Sequence, residues 1–270
     1  MKAIKIFSII VLFYLLLLPE LSHSEEQNEY DFKWQVGEEL TYSVKWTFIY
    51  LGELKLQVLS EDTVNSYPVY HCRIHMNSNP SLPFINLHDV FESYIDAAQI
   101  YSHRFISYEQ ENDYVLFTRY DFDYVQNAVK IIIEKQFPDR NVRVLDSLIN
   151  IPGKVQDSLS MLFFARAMAK NKLQMEMPVF AYNKFERTHI NFTGKEFETK
   201  TNDHKVLAYF LDGKLKFIGI AGVKDQFRGY FSTDPQRVPM KAFMKAFIGN
   251  VKIELKEWKN WAGESILSDN

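Results

Sequence analysis

Two histidines and the single cysteine of the chain lie close together, and these residue types bind zinc. His71, Cys72 and His75 could hold one metal ion only if their side chains met on one side of the backbone. The surrounding residues alternate between polar and apolar, which predicts a strand. On a strand Cys72 faces away from the histidines, which stand about 13 Å apart. The sequence therefore predicts no metal site here, and it indicates no cofactor.

Serine and carboxylate patterns give no stronger indication of catalysis. Ser158 and Ser160 lack a Gly-x-Ser-x-Gly motif around them, and a serine near a helix start usually caps the helix. Asp89, Glu92 and Asp96 are spaced along a predicted strand, too far apart for a direct carboxylate pair. Motifs that bind nucleotides are absent from the sequence. We therefore predict that the protein is not an enzyme and that it has no catalytic residue.

The first two dozen residues have the pattern of a secretory signal peptide. Two lysines precede an apolar run, residues 6–18, which at about 13 residues is too short to cross a bilayer. Small residues up to Ser24 suit a signal peptidase. We expect residues 1–24 to be cleaved near Ser24. Residues 25–270 are then predicted to form a single β-rich exported domain in the periplasm.

The composition of the chain limits the kinds of partner that the domain can bind. The chain has 31 basic and 34 acidic side chains, a formal net charge of −3, which suits solubility and argues against nucleic acid as a partner. One cysteine cannot close an intramolecular disulfide. Stability must therefore come from burial, for which 22 Phe, 15 Tyr and 4 Trp supply a large apolar surface.

Alternating polar and apolar residues predict that most of the chain is strand. Residues 39–50 give the clearest pattern, and a second strand follows Gly52, which suggests an antiparallel pair. Residues 70–76 alternate in the same way and turn Cys72 inward. Similar runs continue along both halves of the chain, including residues 214–220. The predicted fold is mainly β, a large curved antiparallel sheet or half-barrel with one central apolar helix.

The one predicted helix covers residues 155–170 and is apolar nearly all round. A helix that merely lay on the surface would show a charged face, so this helix is either fully buried or covers an apolar cavity. Arg166 is a charge on this helix, and it needs a carboxylate or carbonyl partner. Glu38 and Asp234 are candidate partners.

The surplus of aromatic residues, together with this helix, suggests a ligand site. The same residues would also serve to fill a solid β core, and the sequence leaves both alternatives open. In the sharper hypothesis the curved sheet and the helix enclose a long apolar ligand. The predicted ligand-binding residues are Tyr42, Trp46, Phe48, Tyr114, Tyr120, Leu159, Leu162, Phe163 and Arg166.

Three stretches of the chain also resemble a known family. Residues 36–46 followed by Gly52 are similar to a "GE-x-L-x-Y-x-V-x-W" strand, and residues 157–166 are similar to a "D-x-L-S-x-L-Y-x-x-R" helix. Residues 233–239 followed by Gly249 resemble its closing stretch. The family is the bacterial exported domain of unknown function 3108. The resemblance implies an exported β-rich fold of Gram-negative bacteria, and it implies no activity.

Taken together, these features predict a soluble periplasmic binding or carrier protein for an apolar or lipid-like ligand, serving envelope maintenance without catalysis. The expected partner is a lipid or another apolar small molecule, and an envelope protein is a further candidate. Two other functions stay open. One is an outer-membrane β-barrel, which strands of about ten residues would allow. The other is a secreted hydrolase whose catalytic residues are dispersed along the sequence.

Overall fold

The computed structural model describes residues 32–82, 86–201, 204–215, 225–245 and 249–264. This part of the chain contains fourteen strands and one helix. The predicted signal peptide and most of the strand predicted at residues 214–220 lie outside the described residues.

The elements follow one another with short connections, and the helix lies between the eighth and ninth strands. Their bounds are β1 Glu39–Trp46, β2 Ile49–Val64, β3 Tyr67–Ser78, β4 His88–Asp96, β5 Ser102–Gln110, β6 Val115–Asp123, β7 Ala128–Gln136, β8 Asn141–Asn150, α1 Ser160–Met168, β9 Lys172–Ala181, β10 Lys184–Thr201, β11 His204–Leu215, β12 Asp225–Ser232, β13 Pro239–Lys245 and β14 Asn250–Lys259.

All fourteen described strands form one antiparallel sheet. Its first half runs in sequence order from β8 back to β1, and its second half runs from β14 back to β9. The pairing of β1 with β14 joins the two halves. The strand twist curves so long a sheet, and helix α1 lies against its inner face. The prediction of a mainly β fold, with a large curved antiparallel sheet and one central apolar helix, is confirmed.

The inner face of the sheet carries the core. Leu40 and Tyr42 of β1 lie opposite Leu56 and Leu54 of β2, and this row of apolar side chains continues across the neighbouring strands. Cys72 belongs to the same face and is fully buried, as predicted. Burial raises the pKa of its thiol well above the usual value. Cys72 is therefore a small buried apolar residue.

The strand predicted at residues 39–50 is too long. β1 ends at Trp46, and the chain reverses through Thr47 and Phe48 before β2 begins. Thr47 has a left-handed backbone conformation with φ 54°, which allows the tight turn. The apolar alternation continues unchanged through the turn, so the pattern alone does not reveal it.

The helix is shorter than the predicted residues 155–170. Helix α1 begins at Ser160, three residues after Asp157, whose side chain binds the backbone at the helix start. Its Oδ1 accepts hydrogen bonds from the amides of Leu159 and Ser160, both at 2.7 Å. Its Oδ2 accepts hydrogen bonds from the Ser93 and Ser102 hydroxyls, both at 2.5 Å. Asp157 thus attaches the start of the helix to β4 and β5.

The extended residues before Asp157 connect distant parts of the sheet. The Ser102 amide donates to the Val155 carbonyl at 3.0 Å, beside β5. On the other side, Gln156 exchanges backbone hydrogen bonds of 2.9 and 2.8 Å with Pro178 and Phe180 of β9. This segment brings β9 close to β5 and curls the sheet into a half-barrel around the helix.

Candidate ligand cavity

A large cavity lies between helix α1 and the inner face of the sheet. Its volume is about 470 Å³, roughly three times that of an engineered apolar cavity of ~150 Å³ that stays dry and binds benzene. Ligand pockets commonly measure about 300 to 1,000 Å³. The cavity therefore has room for a small apolar molecule or a single hydrocarbon chain.

The wall of the cavity is almost entirely apolar. Strands β1 to β3 and β10 to β14 build most of it, together with the helix. Several of its side chains are only half-buried because they face the empty space instead of other protein atoms. Examples from the sheet are Val44, Leu54, Phe227, Met244, Val251 and Ile253.

The cavity opens where the strands terminate, on the side of the sheet at which β1 ends and β2 begins. Leu51, Ser78, Leu215, Met244 and Val251 line it there, and each lies within two residues of a strand end. We call this row of strand ends the mouth edge. At the inner end of the cavity the helix closes the space.

Three charged residues border the cavity, and the charged group of each contacts another protein side chain. The Glu53 carboxylate lies 2.7 Å from the Lys256 ammonium group. The Lys241 ammonium group lies 3.0 Å from the Glu254 carboxylate. The Arg228 guanidinium lies over an aromatic ring of the neighbouring strand, 5.5 Å from the ring centre. The interior therefore suits hydrocarbon and not a charged group.

Helix α1 and the two residues before it supply the inner wall of the cavity. The residues that face the empty space are Ser158, Leu159, Met161, Leu162 and Ala165. Met161 and Leu162 are only half-buried although the other residues of the helix are mostly buried. A methionine can change rotamer to fit ligands of different shape. The helix therefore covers a cavity with one side and packs into solid core with the other.

Three of the predicted ligand-binding residues line this cavity. Tyr42 lies on its sheet wall, and Leu159 and Leu162 lie on its helix wall. Burial raises the pKa of Tyr42 well above the usual range, so the phenol stays neutral in the wall.

Three other predicted residues are buried outside the cavity wall. Phe163 projects from the opposite side of the helix and packs edge-on against Trp34, with ring centres 5.3 Å apart. Tyr120 packs edge-on against Phe180 of β9 at 5.2 Å. Arg166 is fully buried in an ion pair. These residues belong to the solid core and not to the cavity.

The last three predicted residues also lie away from the cavity wall. Phe48 is 90% exposed, because the two-residue turn carries it past the end of β1 into solvent. Tyr114 precedes β6 and packs against Phe137 at 5.4 Å. Trp46 pairs with Val251 at the mouth edge and is half-buried. The prediction that Phe48 lines an enclosed surface is wrong.

Arg166 has the carboxylate partner that its burial requires. Its two terminal nitrogens donate to the two Glu38 oxygens at 2.7 and 2.9 Å. A further hydrogen bond of 3.0 Å reaches the Gln236 carbonyl. Burial opposes the charge, yet the Glu38 carboxylate keeps the pKa of Arg166 above its usual value. The pair attaches the helix to the start of β1, whereas Asp234 bonds the Gln236 amide instead.

Sequence reasoning missed most of the cavity residues on the second half of the sheet. Leu211, Phe227, Met244 and Ile253 all line the space. The alternation around Ile253 predicts a strand but not which strand lies beside it. The pairing of β1 with β14 joins residues about 200 positions apart, and no local signal indicates it.

Charged groups outside the cavity form ion pairs on the sheet surface. His71 Nε2 lies 3.1 Å from a Glu92 oxygen, and Arg73 Nε donates to the other oxygen at 2.7 Å. These bonds, with that of His71 foremost, hold the pKa of Glu92 below its usual value.

Within the described ranges, no three His, Cys, Asp or Glu side chains lie close enough to bind a metal ion. The one helix of the described residues is not long and apolar enough to cross a membrane.

Comparison with known proteins gives a family and a fold. The sequence model of a family described as "Protein of unknown function (DUF3108)" matches residues 41–256. No curated protein matches the chain significantly. A crystal structure from Brucella abortus, titled a beta-barrel-like protein of domain of unknown function DUF1849, is similar with a TM-score of 0.53 and 9% identity. The match covers 84% of this chain and 98% of the other, and it supports the fold alone.

Proposed function

The chain belongs to the DUF3108 family of unknown function, and we propose from the cavity that it is a soluble periplasmic carrier. It binds the hydrocarbon part of a lipid-like ligand and performs no chemistry on it. The observation that supports this proposal is a space of about 470 Å³ with an almost wholly apolar wall.

Burial of a hydrocarbon chain supplies enough free energy for such a function. Each buried methylene contributes about 0.8 kcal/mol, so ten methylenes contribute roughly 8 kcal/mol before the cost of association. A preformed apolar wall reduces that cost, because few side chains must be ordered on binding. The expected ligand is an amphiphile with one chain long enough to span the cavity.

The distribution of polar groups supports one orientation of the ligand. The inner wall is made of Leu159, Met161, Leu162 and Ala165, which cannot pair with a headgroup, and of a single small polar residue, Ser158. Polar wall residues such as Ser78 lie at the mouth edge. The ligand therefore enters with its chain first and leaves its polar group at the mouth edge.

Periplasmic location rests on the signal-peptide pattern of residues 1–24. Osmotic-shock release of the processed protein tests this part of the proposal. The outer-membrane and hydrolase alternatives stay predictions. Retention in the membrane fraction after a high-salt wash would favour the first, and turnover of generic ester, glycoside or peptide substrates would favour the second.

Titration with a fluorescent fatty acid tests the binding site itself. Leu162→Trp places a large ring into the cavity from its half-buried position and should weaken binding by about tenfold or more. Leu148→Trp makes the same change at a position that is 61% exposed on β8 and serves as the matched control. Equal affinities for the wild type and both variants, or no binding by any of them, would contradict the proposed site.

A further inference from the structure

Phe48 lies at the tip of the hairpin that joins β1 to β2, on the mouth edge. It is 90% exposed, the highest value among the exposed large apolar side chains of the described residues. Val44 and Leu51, at the base of the same hairpin, line the cavity. An exposed aromatic ring therefore stands within a few residues of the cavity entrance.

The hairpin tip is held in place by the neighbouring strand. The Thr47 amide donates to the Asn250 carbonyl at 3.5 Å. Gly249 lies so close that a Cβ atom there would be 3.3 Å from the Thr47 methyl group. Because its backbone is fixed at φ 54°, Thr47 keeps Phe48 directed away from the sheet. The exposure of Phe48 is thus built into the fold.

Lysines outnumber acidic residues at the mouth edge on the strands that border the cavity, where Asp225 at the start of β12 also lies. Four strands that border the cavity carry a lysine near the end that reaches the mouth edge, namely Lys45 of β1, Lys214 of β11, Lys245 of β13 and Lys252 of β14.

Two of these lysines lie directly opposite each other. Lys45 of β1 pairs with Lys252 of β14, and like charges at such positions destabilise a sheet. Lys252 and Lys241 share the Glu254 carboxylate, at 2.6 and 3.0 Å. Two ammonium groups thus share the carboxylate of Glu254, and Lys45 lies on the strand beside Lys252. Anionic groups from outside the protein would relieve this repulsion.

We propose that the mouth edge docks onto a bilayer surface rich in anionic headgroups. The Phe48 ring enters the boundary between headgroups and acyl chains, where aromatic residues are favoured. The lysines attract the anionic surface. Docking in this orientation brings the cavity entrance against the lipid, so a hydrocarbon chain can pass between bilayer and cavity without crossing water. This inference rests on the proposed carrier function.

Vesicle flotation with the mature chain tests the docking surface. Wild-type protein should float with vesicles of phosphatidylcholine and phosphatidylglycerol, and high salt or pure phosphatidylcholine should release it. Phe48→Ser and Lys45→Glu should each weaken binding by about tenfold. The matched control for Phe48→Ser is Val125→Ser, since Val125 is 87% exposed in the turn between β6 and β7 at the opposite edge. Lys205→Glu, also at the opposite edge, controls for charge.

The depth of insertion gives a second readout. In a Phe48→Trp variant, brominated lipids should quench the added fluorescence and its emission should shift to the blue, whereas Val125→Trp should show neither change. Unquenched Phe48→Trp, or equal losses of flotation in Phe48→Ser and Val125→Ser, would overturn the docking surface.

Binding of a fluorescent fatty acid in solution, without vesicles, separates the two proposals. Phe48→Ser should bind the fatty acid like the wild type, because its side chain lies outside the cavity. Fatty-acid binding without vesicle docking would overturn the docking surface and leave the carrier function standing. Vesicle docking without fatty-acid binding would support the surface and overturn the carrier function.

Discussion

Replacing Arg166 by methionine would leave the Glu38 carboxylate buried without its cation. Arg166 supplies both hydrogen bonds of 2.7 and 2.9 Å to that carboxylate and one of 3.0 Å to the Gln236 carbonyl. Removing one partner of a buried pair generally costs about 3 to 5 kcal/mol. If the free energy of unfolding falls by roughly 3 kcal/mol per M of urea, the midpoint of urea unfolding should fall by more than about 1 M.

The assay is equilibrium urea unfolding of residues 25–270, with tryptophan fluorescence as the readout of unfolding. Arg143→Met is the matched control, because Arg143 pairs with Glu134 on the surface and keeps 45% of its side chain exposed. That change should cost less than about 1 kcal/mol. The double variant Glu38→Leu with Arg166→Met should recover most of the loss, since apolar residues of similar volume can replace a buried pair. An Arg166→Met cost no larger than that of Arg143→Met would refute the reasoning.

The other predictions concern two further buried groups, the ligand site and the docking surface. Burial opposes the charge of Asp96, but the His103 side chain and the amides of Gln99 and Ala98 hold its pKa below the usual value. Its contribution to stability should therefore be present above the unfolded-state pKa of ~3.9 and be lost as the pH falls through the lower folded value. Asp96→Asn should be less stable at neutral pH and lose less stability on acidification, as measured by urea unfolding at several pH values. The fully buried Cys72 thiol should react with a thiol reagent only at the rate of unfolding, and fast labelling of the native protein would contradict its placement. The weaker fatty-acid binding of Leu162→Trp and the weaker vesicle binding of Phe48→Ser, described above, complete the set.

Local patterns predicted the elements whose two faces differ. The alternation around Tyr42 and Cys72 indicated half-buried strands, and both residues lie on the inner face. The sequence pattern does not indicate strand β8, because β8 is an edge strand with mostly exposed residues, among them Val144 and Leu148. An edge strand has only one neighbour and little core to bury, so its alternation is weak.

Local sequence patterns do not show where the chain turns or which distant strands lie side by side. Phe48 continues the alternation of β1, and only the left-handed backbone of Thr47 shows that the chain has already turned. The predicted helix begins too early because Val155 is apolar, whereas the hydrogen bond of Val155 with β5 keeps this residue extended. Tyr42 and Leu162 were predicted for the site, but their shared cavity depends on strand pairing between distant parts of the chain.

Native mass spectrometry of the protein purified from cells that export it tests the carrier function most directly. We expect one amphiphile per chain, identifiable by lipid extraction, whose occupancy falls in Leu162→Trp and is unchanged in Leu148→Trp. Wild-type protein without any bound amphiphile, and without affinity for added fatty acids or apolar dyes, would contradict the assignment of the cavity as a ligand site.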